Sequence, residues 1–463
     1  MKMLLSPVWV VPVAAFAACG FPKPADVPEC SVSADCKSSA APLCVNSQCV
    51  AGCKLNDDCQ GAPATPFCQQ SSGACVGCLD ATSCPIDKPV CDATSLACRG
   101  CARDAECATA QGTGICIEAD ATCVPDSSVV FVDSAGLDAD PCSRAAPCSS
   151  LTFALTRTSS TRDNVKILSG TLQLGASVTL SRSVYMEGND TIVSGPPGMF
   201  VLPQSVNVTL SHMKLQPTSG SVATVGSIRT LRLFDVQSTG SIDVNGGGLE
   251  IDTSSFSATS ISCTAGTMTI RRSVFDRAPV SGVTCTLVIR RNRFDMVGDK
   301  GFSAQSGPLT FENNLITQTE GIADSVGLFT VSPGSTVRFN TFVNTASLAS
   351  DGVALYCDTP VEVSSNIFAY GSMHPTGGSP RCASRYSLYD SVAIPVTSTG
   401  TGDKVGDSNA FFVDKVGKNF HLAPTSPARR GGEAGLPVSD DYDGAPRPQA
   451  SGEAPDMGAF EAP

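Results

Sequence analysis

LVIRRNRFD, residues 287–295, sets three arginines beside an asparagine and a phenylalanine in a chain of 463 residues whose formal net charge is −12. By itself the stretch reads as a basic motif. Its apolar positions recur along the chain, however, and a recurring unit has to be recognised before single strands are assigned.

With Ile289 as reference, Leu180, Leu210, Leu231, Ile251, Ile270, Ile289, Phe311, Val337 and Val363 form a column with steps of 30, 21, 20, 19, 19, 22, 26 and 26 residues. Five residues later stand Tyr185, Leu215, Val236, Phe256, Phe275, Phe294, Ile316, Phe342 and Phe368. A helical bundle would repeat every 3.6 residues and an antiparallel sandwich would show hairpin turns, and neither pattern is present. A step near 20 in short β-prone segments is what one solenoid coil needs, with equivalent residues stacked roughly 4.8 Å apart. The longer steps are loops extruded from one side.

Three residues after the reference come Ser254, Ser273, Asn292, Asn314, Asn340 and Asn366. Asparagine tolerates the left-handed conformation at a tight corner, and stacked amides hydrogen-bond along an axis, so this column predicts an asparagine ladder at a turn. One residue after the reference, Arg232, Asp252, Arg271, Arg290, Glu312 and Arg338 alternate in sign except where Arg271 meets Arg290. Arg272 and Arg291 stack in the next column, giving a cluster of four guanidiniums suited to carboxylate or sulfate. Its structural alternative is a solvated charge ladder. Asp276 and Asp295, six residues after the reference, form the only carboxylate pair worth nominating, either for Ca²⁺ or as acid and base. The sequence calls for no other cofactor and no metal site.

The N-terminal third obeys different rules. Of 23 cysteines, those between 30 and 123 fall into four repeats: Cys30, Cys36, Cys44, Cys49; Cys53, Cys59, Cys68, Cys75; Cys78, Cys84, Cys91, Cys98; and Cys101, Cys107, Cys116, Cys123. Units of about 25 residues cannot bury a sufficient core, so disulfides take its place. A zinc reading through Cys75, Cys78, Cys98 and Cys101 would strand Cys84 and Cys91 and cut across the repeats. Four cysteines allow three connectivities per unit, and sequence does not choose among them.

MKMLLSPVWVVPVAAFAACG (1–20) combines one lysine, a short apolar run broken by Pro7 and Pro12, and Ala17, Ala18 and Cys19. It resembles a bacterial lipoprotein signal, which implies cleavage after residue 18 and lipidation of Cys19; plain secretion is the alternative. Residues 19–29 then act as a Pro-rich tether. The repeats of 30–123 resemble short extracellular disulfide modules and carry no catalytic signature. VPDSS (124–128) is a joint. VVFV, a loop closed by Cys142 and Cys148, and SSLTFAL then resemble the opening of bacterial right-handed parallel β-helix proteins. The coil repeat resembles pectate-lyase-like β-helices over residues 128–463. DYDGAPRPQ (441–449) and PDMGAFE (455–461) are similar to the closing segment of secreted β-helix proteins, and the expectation is that this segment covers the last coil. Cys263 with Cys285, and Cys357 with Cys382, lie about one coil apart and are expected to be disulfides.

The fold expected is therefore all-β: a right-handed parallel β-helix solenoid preceded by four small disulfide-rich modules. Catalytic β-helices carry denser clusters of aspartate with arginine, lysine or histidine than this chain shows, and His212, His374 and His421 are scattered. The favoured expectation is a non-catalytic lipoprotein of the bacterial cell envelope, held to the membrane by lipid only. Its solenoid would bind an extracellular polysaccharide or envelope protein. A polysaccharide lyase or glycoside hydrolase acting on acidic glycans is the alternative. A pI near 4.7 argues against nucleic acid.

Overall fold

The computed structural model describes residues 35, 43–45, 48–50, 52–59, 63–85, 87–111, 114–203, 205–226, 230–296, 300–318, 326–330, 333–344, 353–357, 359–369, 372–375, 382–391, 400–449 and 452–463. The expected signal segment with Cys19, the expected tether, and most of the first cysteine repeat fall outside these residues. The chain divides into two compact units, Met1–Cys123 and Val124–Pro463.

In the first unit the second, third and fourth repeats share one plan. A helical turn leads into a hairpin, such as Asn56–Cys59 followed by Phe67–Gln69 paired with Ala74–Val76. The first cysteine bonds the third and the second bonds the fourth: Cys53 to Cys68 and Cys59 to Cys75, Cys78 to Cys91 and Cys84 to Cys98, Cys101 to Cys116 and Cys107 to Cys123. Cys75, Cys78, Cys98 and Cys101 therefore belong to four different bridges. The half-cystines are themselves the core: Cys53, Cys78 and Cys107 have no accessible surface. The connectivity left open by sequence is thus the same in each described module.

The second unit is a parallel β-solenoid. It opens as the motif predicts, with Val129–Val132 pairing in parallel with Asn164–Ile167, a Cys142–Cys148 bridge, and the helix Leu151–Leu155 capped by Ser150, whose Oγ accepts from the Phe153 amide. Successive coils then stack in register, three short strands to a coil. Lys300–Gln305, Leu309–Glu312 and Leu315–Gln318 make one such coil. Each strand turns alternate side chains into the coil and out of it, and the inward columns are accordingly apolar. Phe256 stacks on Phe275 and Phe275 on Phe294 at 5.4 and 4.9 Å between centroids, and Phe342, Phe368 and Tyr389 continue the pile at 5.1 Å.

From Ile251 to Val363 the register follows the apolar columns read from sequence. Earlier coils differ. Ile251 faces Leu233, not Leu231, and Leu210 faces Met186, not Leu180. The five-residue column runs through Ser238 and Val193 in place of Val236 and Tyr185. Arg232 consequently leaves the charge column: it faces Glu250, and Phe234 stands opposite Asp252.

The asparagine ladder is present, but its conformational reason is different. The left-handed residue at each corner is the one before the ladder: Thr253, Arg272, Arg291, Asn313, Phe339 and Ser365 all have φ between 50° and 59°. Such a backbone costs a non-glycine residue about 1 kcal/mol. The next residue secures it. Asn314 Oδ1 accepts from both the Asn292 amide N–H and Nδ2, at 3.0 and 3.1 Å, and the pattern repeats from Asn314 to Asn340 and from Asn340 to Asn366. Each Nδ2 also donates to a main-chain oxygen of the coil behind, such as Ile270 and Ile289. Ser254, Ser273 and Ser387 fill the same position with a hydroxyl.

Both predicted coil-to-coil disulfides form, though diagonally. Cys263 lies opposite Gly282 and Cys285 opposite Gly266, yet the two sulfurs bond with their Cα atoms 6.3 Å apart. Cys357 and Cys382 bond at a Cα distance of 5.5 Å.

The closing segment runs back along the corner ladder: Gly458 donates to the Ser365 carbonyl, Ala459 to the Thr341 hydroxyl, and Asn313 Nδ2 to the Asp440 carbonyl. Its hub is Arg447, which is 6% exposed, lies over the Phe339 ring at 4.3 Å, donates to the carbonyls of Asp456 and Gly458, and pairs with Glu461 at 3.2 Å. Asp441 binds the amides of Ala445 and Glu461. The conspicuous acidic and arginine residues of this segment therefore tie its two halves together.

Candidate functional site

The four arginines singled out by sequence come together. Arg271 and Arg290 end the strands Ile261–Arg271 and Val280–Arg290. Ile270 and Ile289 point inward, so strand alternation turns the following arginines outward. Arg272 and Arg291 occupy the left-handed corners, which carry their side chains sideways from the sheet. With Asp252, Glu312 and Asn313 they form one side of a groove of about 390 Å³; Pro437, Val438, Ser439 and Asp440 of the closing segment form the other.

The charges in the groove are largely matched. Arg272 grips Asp252 through Nε and Nη2, at 2.8 and 2.5 Å, and this bond holds its guanidinium pKa above the ordinary arginine range. Arg290 pairs with Glu312 at 2.9 Å, as its place in the charge column predicts, and Arg338 approaches the same carboxylate at 3.4 Å. Glu312 is only 3% exposed, and its burial outweighs the attraction of Arg290 and Arg338, so its carboxyl is pushed above the usual glutamate range. Arg291 pairs with Asp440 at 3.0 Å and donates to the Tyr442 carbonyl.

Arg271 is the exception. Its backbone is in register with Asp252 on one side and Arg290 on the other, but Asp252 is taken by Arg272. Among the described residues no carboxylate lies within ion-pair distance of Arg271. The groove thus presents four guanidiniums to three carboxylates, and the one left over, Arg271, is exposed. A second unmet polar group lines the same groove two coils on: Asn313 Oδ1 is buried and accepts no hydrogen bond within the described protein.

Asp276 and Asp295 are register neighbours, as expected, but both lie past the corner and outside the groove lining. Asp276 sits 3.5 Å from Arg277. Asp295 is held by Arg293 at 2.9 Å and by the Thr317 hydroxyl. Among the described residues no third His, Cys, Asp or Glu joins the two into a metal-ligating cluster.

Sequence reasoning missed the opposite wall. Asp440 stands 149 residues from Arg291, and nothing in the local spacing of either predicts the contact. The Arg272–Asp252 pair was hidden for a different reason: column logic joins Asp252 to Arg271, and only the left-handed backbone of Arg272 brings its side chain across.

No protein-family model matches the chain and no curated protein matches it. Among solved structures, one described as the crystal structure of pectate lyase Pel9A matches at a TM-score of 0.42 and 14% identity, over 72% of this chain and 96% of that one. The assignment of a parallel solenoid rests on the strand register described above, and the chemistry has to be argued from the groove.

Proposed function

We propose that this chain is a non-catalytic binding protein of the cell envelope whose solenoid holds acidic polysaccharide, or an envelope component bearing comparable acidic groups, in the arginine groove. One observation carries the reading: Arg271 is an exposed guanidinium in a preformed groove with no carboxylate partner among the described residues, on an otherwise acidic protein. Planar guanidinium donors match carboxylate and sulfate oxygens geometrically as well as electrostatically. Glycoside hydrolysis would need a pair of carboxyl groups poised over the ligand, whereas Asp252, Glu312 and Asp440 are each engaged by an arginine. Location outside the cytoplasm is supported by the disulfides, which persist in oxidising compartments; among the described residues no helix is long and apolar enough to cross a membrane. Attachment through a lipid on Cys19 belongs to the same proposal, and Cys19→Ser should release the chain from membranes into the soluble fraction.

The test is a glycan array followed by product analysis. Retention of uronic-acid-bearing or sulfated glycans, with no new reducing or unsaturated ends, is the expected result. Release of unsaturated or newly reducing products would establish the lyase or hydrolase alternative, and a blank array would remove the glycan reading.

A further inference from the structure

We infer that Asp440 is a specificity-determining residue: it occupies the second anion position of the groove and makes the site select glycans with isolated acidic groups over contiguous polyanions. The inference rests on the glycan-binding reading above and adds the charge pattern of the ligand. Arg271 and Arg290 share one column and Arg272 and Arg291 the next, so the solenoid alone would offer anion positions on adjacent rungs, about 4.8 Å apart. A uniform polyanion could follow such a track. The protein, however, fills all but one of these positions itself. Asp252 takes Arg272, Glu312 takes Arg290, and the closing segment brings Asp440 to Arg291 from the opposite wall. The first two carboxylates belong to the coils, while Asp440 is delivered by a separate segment fastened through its own carbonyl to Asn313 and through the Tyr442 carbonyl to Arg291.

A single carboxylate or sulfate therefore finds Arg271 open, and a second one reaching for Arg291 on the next coil meets Asp440 as a like charge. Three residues after Asp252, Ser255 borders a smaller groove of about 110 Å³ that Gln216, Gln237, Ser257 and Lys214 also line; its amides and hydroxyls suit sugar hydroxyls, and Lys214 adds a cation. The like charge at Asp440 makes the ligand class a heteroglycan whose acidic sugars are separated by neutral ones.

Two tetrasaccharide probes test this by calorimetry on the full chain: aldotetraouronic acid, a single uronic acid on neutral xylotriose, and tetragalacturonate, which carries an acid on every sugar. The wild type should prefer the first by about tenfold, the scale on which one charge-assisted hydrogen bond differs from one like-charge repulsion. Asp440→Asn keeps the side-chain shape and should raise tetragalacturonate binding to parity. Arg271→Gln should weaken both probes by about tenfold or more. Circular dichroism and thermal melting report whether each variant is folded. A wild-type preference for tetragalacturonate, or an unchanged preference in Asp440→Asn, would overturn the inference while leaving glycan binding in place. Failure of both probes to bind the wild type would overturn it together with the reading it rests on.

Discussion

Arg272 reaches back one coil to hold Asp252 with two hydrogen bonds, at 2.8 and 2.5 Å, and in doing so takes the carboxylate that faces Arg271 in the ladder. The left-handed φ of Arg272, 50°, makes the reach possible. A corner imposed by the fold thereby leaves one guanidinium open.

Asp252→Asn should free Arg272 and give the groove a second unoccupied cation. The pair is partly exposed, with Arg272 at 48% and Asp252 at 24%, so stability should fall by less than about 1 kcal/mol. Affinity for a uronate oligosaccharide should rise several-fold. Calorimetry beside a denaturant melt separates the two effects, and a large loss of stability would show that the pair is a structural bond first.

Asn314→Ala should destabilise the solenoid by about 2–4 kcal/mol, because its Oδ1 serves two donors of Asn292 and its Nδ2 satisfies the Ile289 carbonyl. Asn314→Ser should cost clearly less, since Ser254 and Ser273 make the equivalent main-chain contact in neighbouring coils. Denaturant midpoints rank the two variants, and equal losses would contradict a ladder role.

The limits of reading this chain follow from the same geometry. Ile289, Phe294 and Asn292 were legible because their equivalents stack at separations of 19, 22 and 26 residues with the residue type preserved. Leu231 stood in for Leu233 because both point inward, and a slip of two residues leaves strand alternation unchanged. Ser238 was invisible to an apolar template although it sits in the core column, 4% exposed, with its hydroxyl bonded to the Gly240 carbonyl. Met186 was displaced by the irregular register between Glu187 and Thr191. The guanidinium half of the groove could be read from periodicity, but the Pro437–Asp440 wall could not, since a return segment has no period.

The closing segment should weaken as pH rises from about 4.5 to about 7. Burial pushes the Glu461 carboxyl up to about 7 from 4.5, despite Arg447 beside it. A raised carboxyl pKa means that the folded state holds the proton more tightly. The stabilisation is full below the unfolded value and is lost as pH passes through the folded one. Glu461→Gln should flatten this part of the stability–pH curve. Arg447→Met, which removes the cation from beside Glu461, should cost about 3–5 kcal/mol at neutral pH. An unaltered slope in Glu461→Gln would assign the pH dependence elsewhere.

Peptide mapping under non-reducing conditions should recover first-to-third and second-to-fourth cysteine pairs in the second, third and fourth modules. Opening Cys59–Cys75, whose cysteines are 16 residues apart, by the double change to alanine should cost that module about 3 kcal/mol. Groove binding should be unaffected, and altered binding would reveal a coupling between module and groove.

The most direct measurement is equilibrium binding of an acidic oligosaccharide to the wild type and to Arg271→Gln, with chromatography of the glycan after overnight incubation. Binding should fall by about tenfold or more in the variant, and the glycan should be recovered intact from both. Equal binding by the two proteins, or a shortened glycan from the wild type, would contradict a non-catalytic arginine-groove receptor.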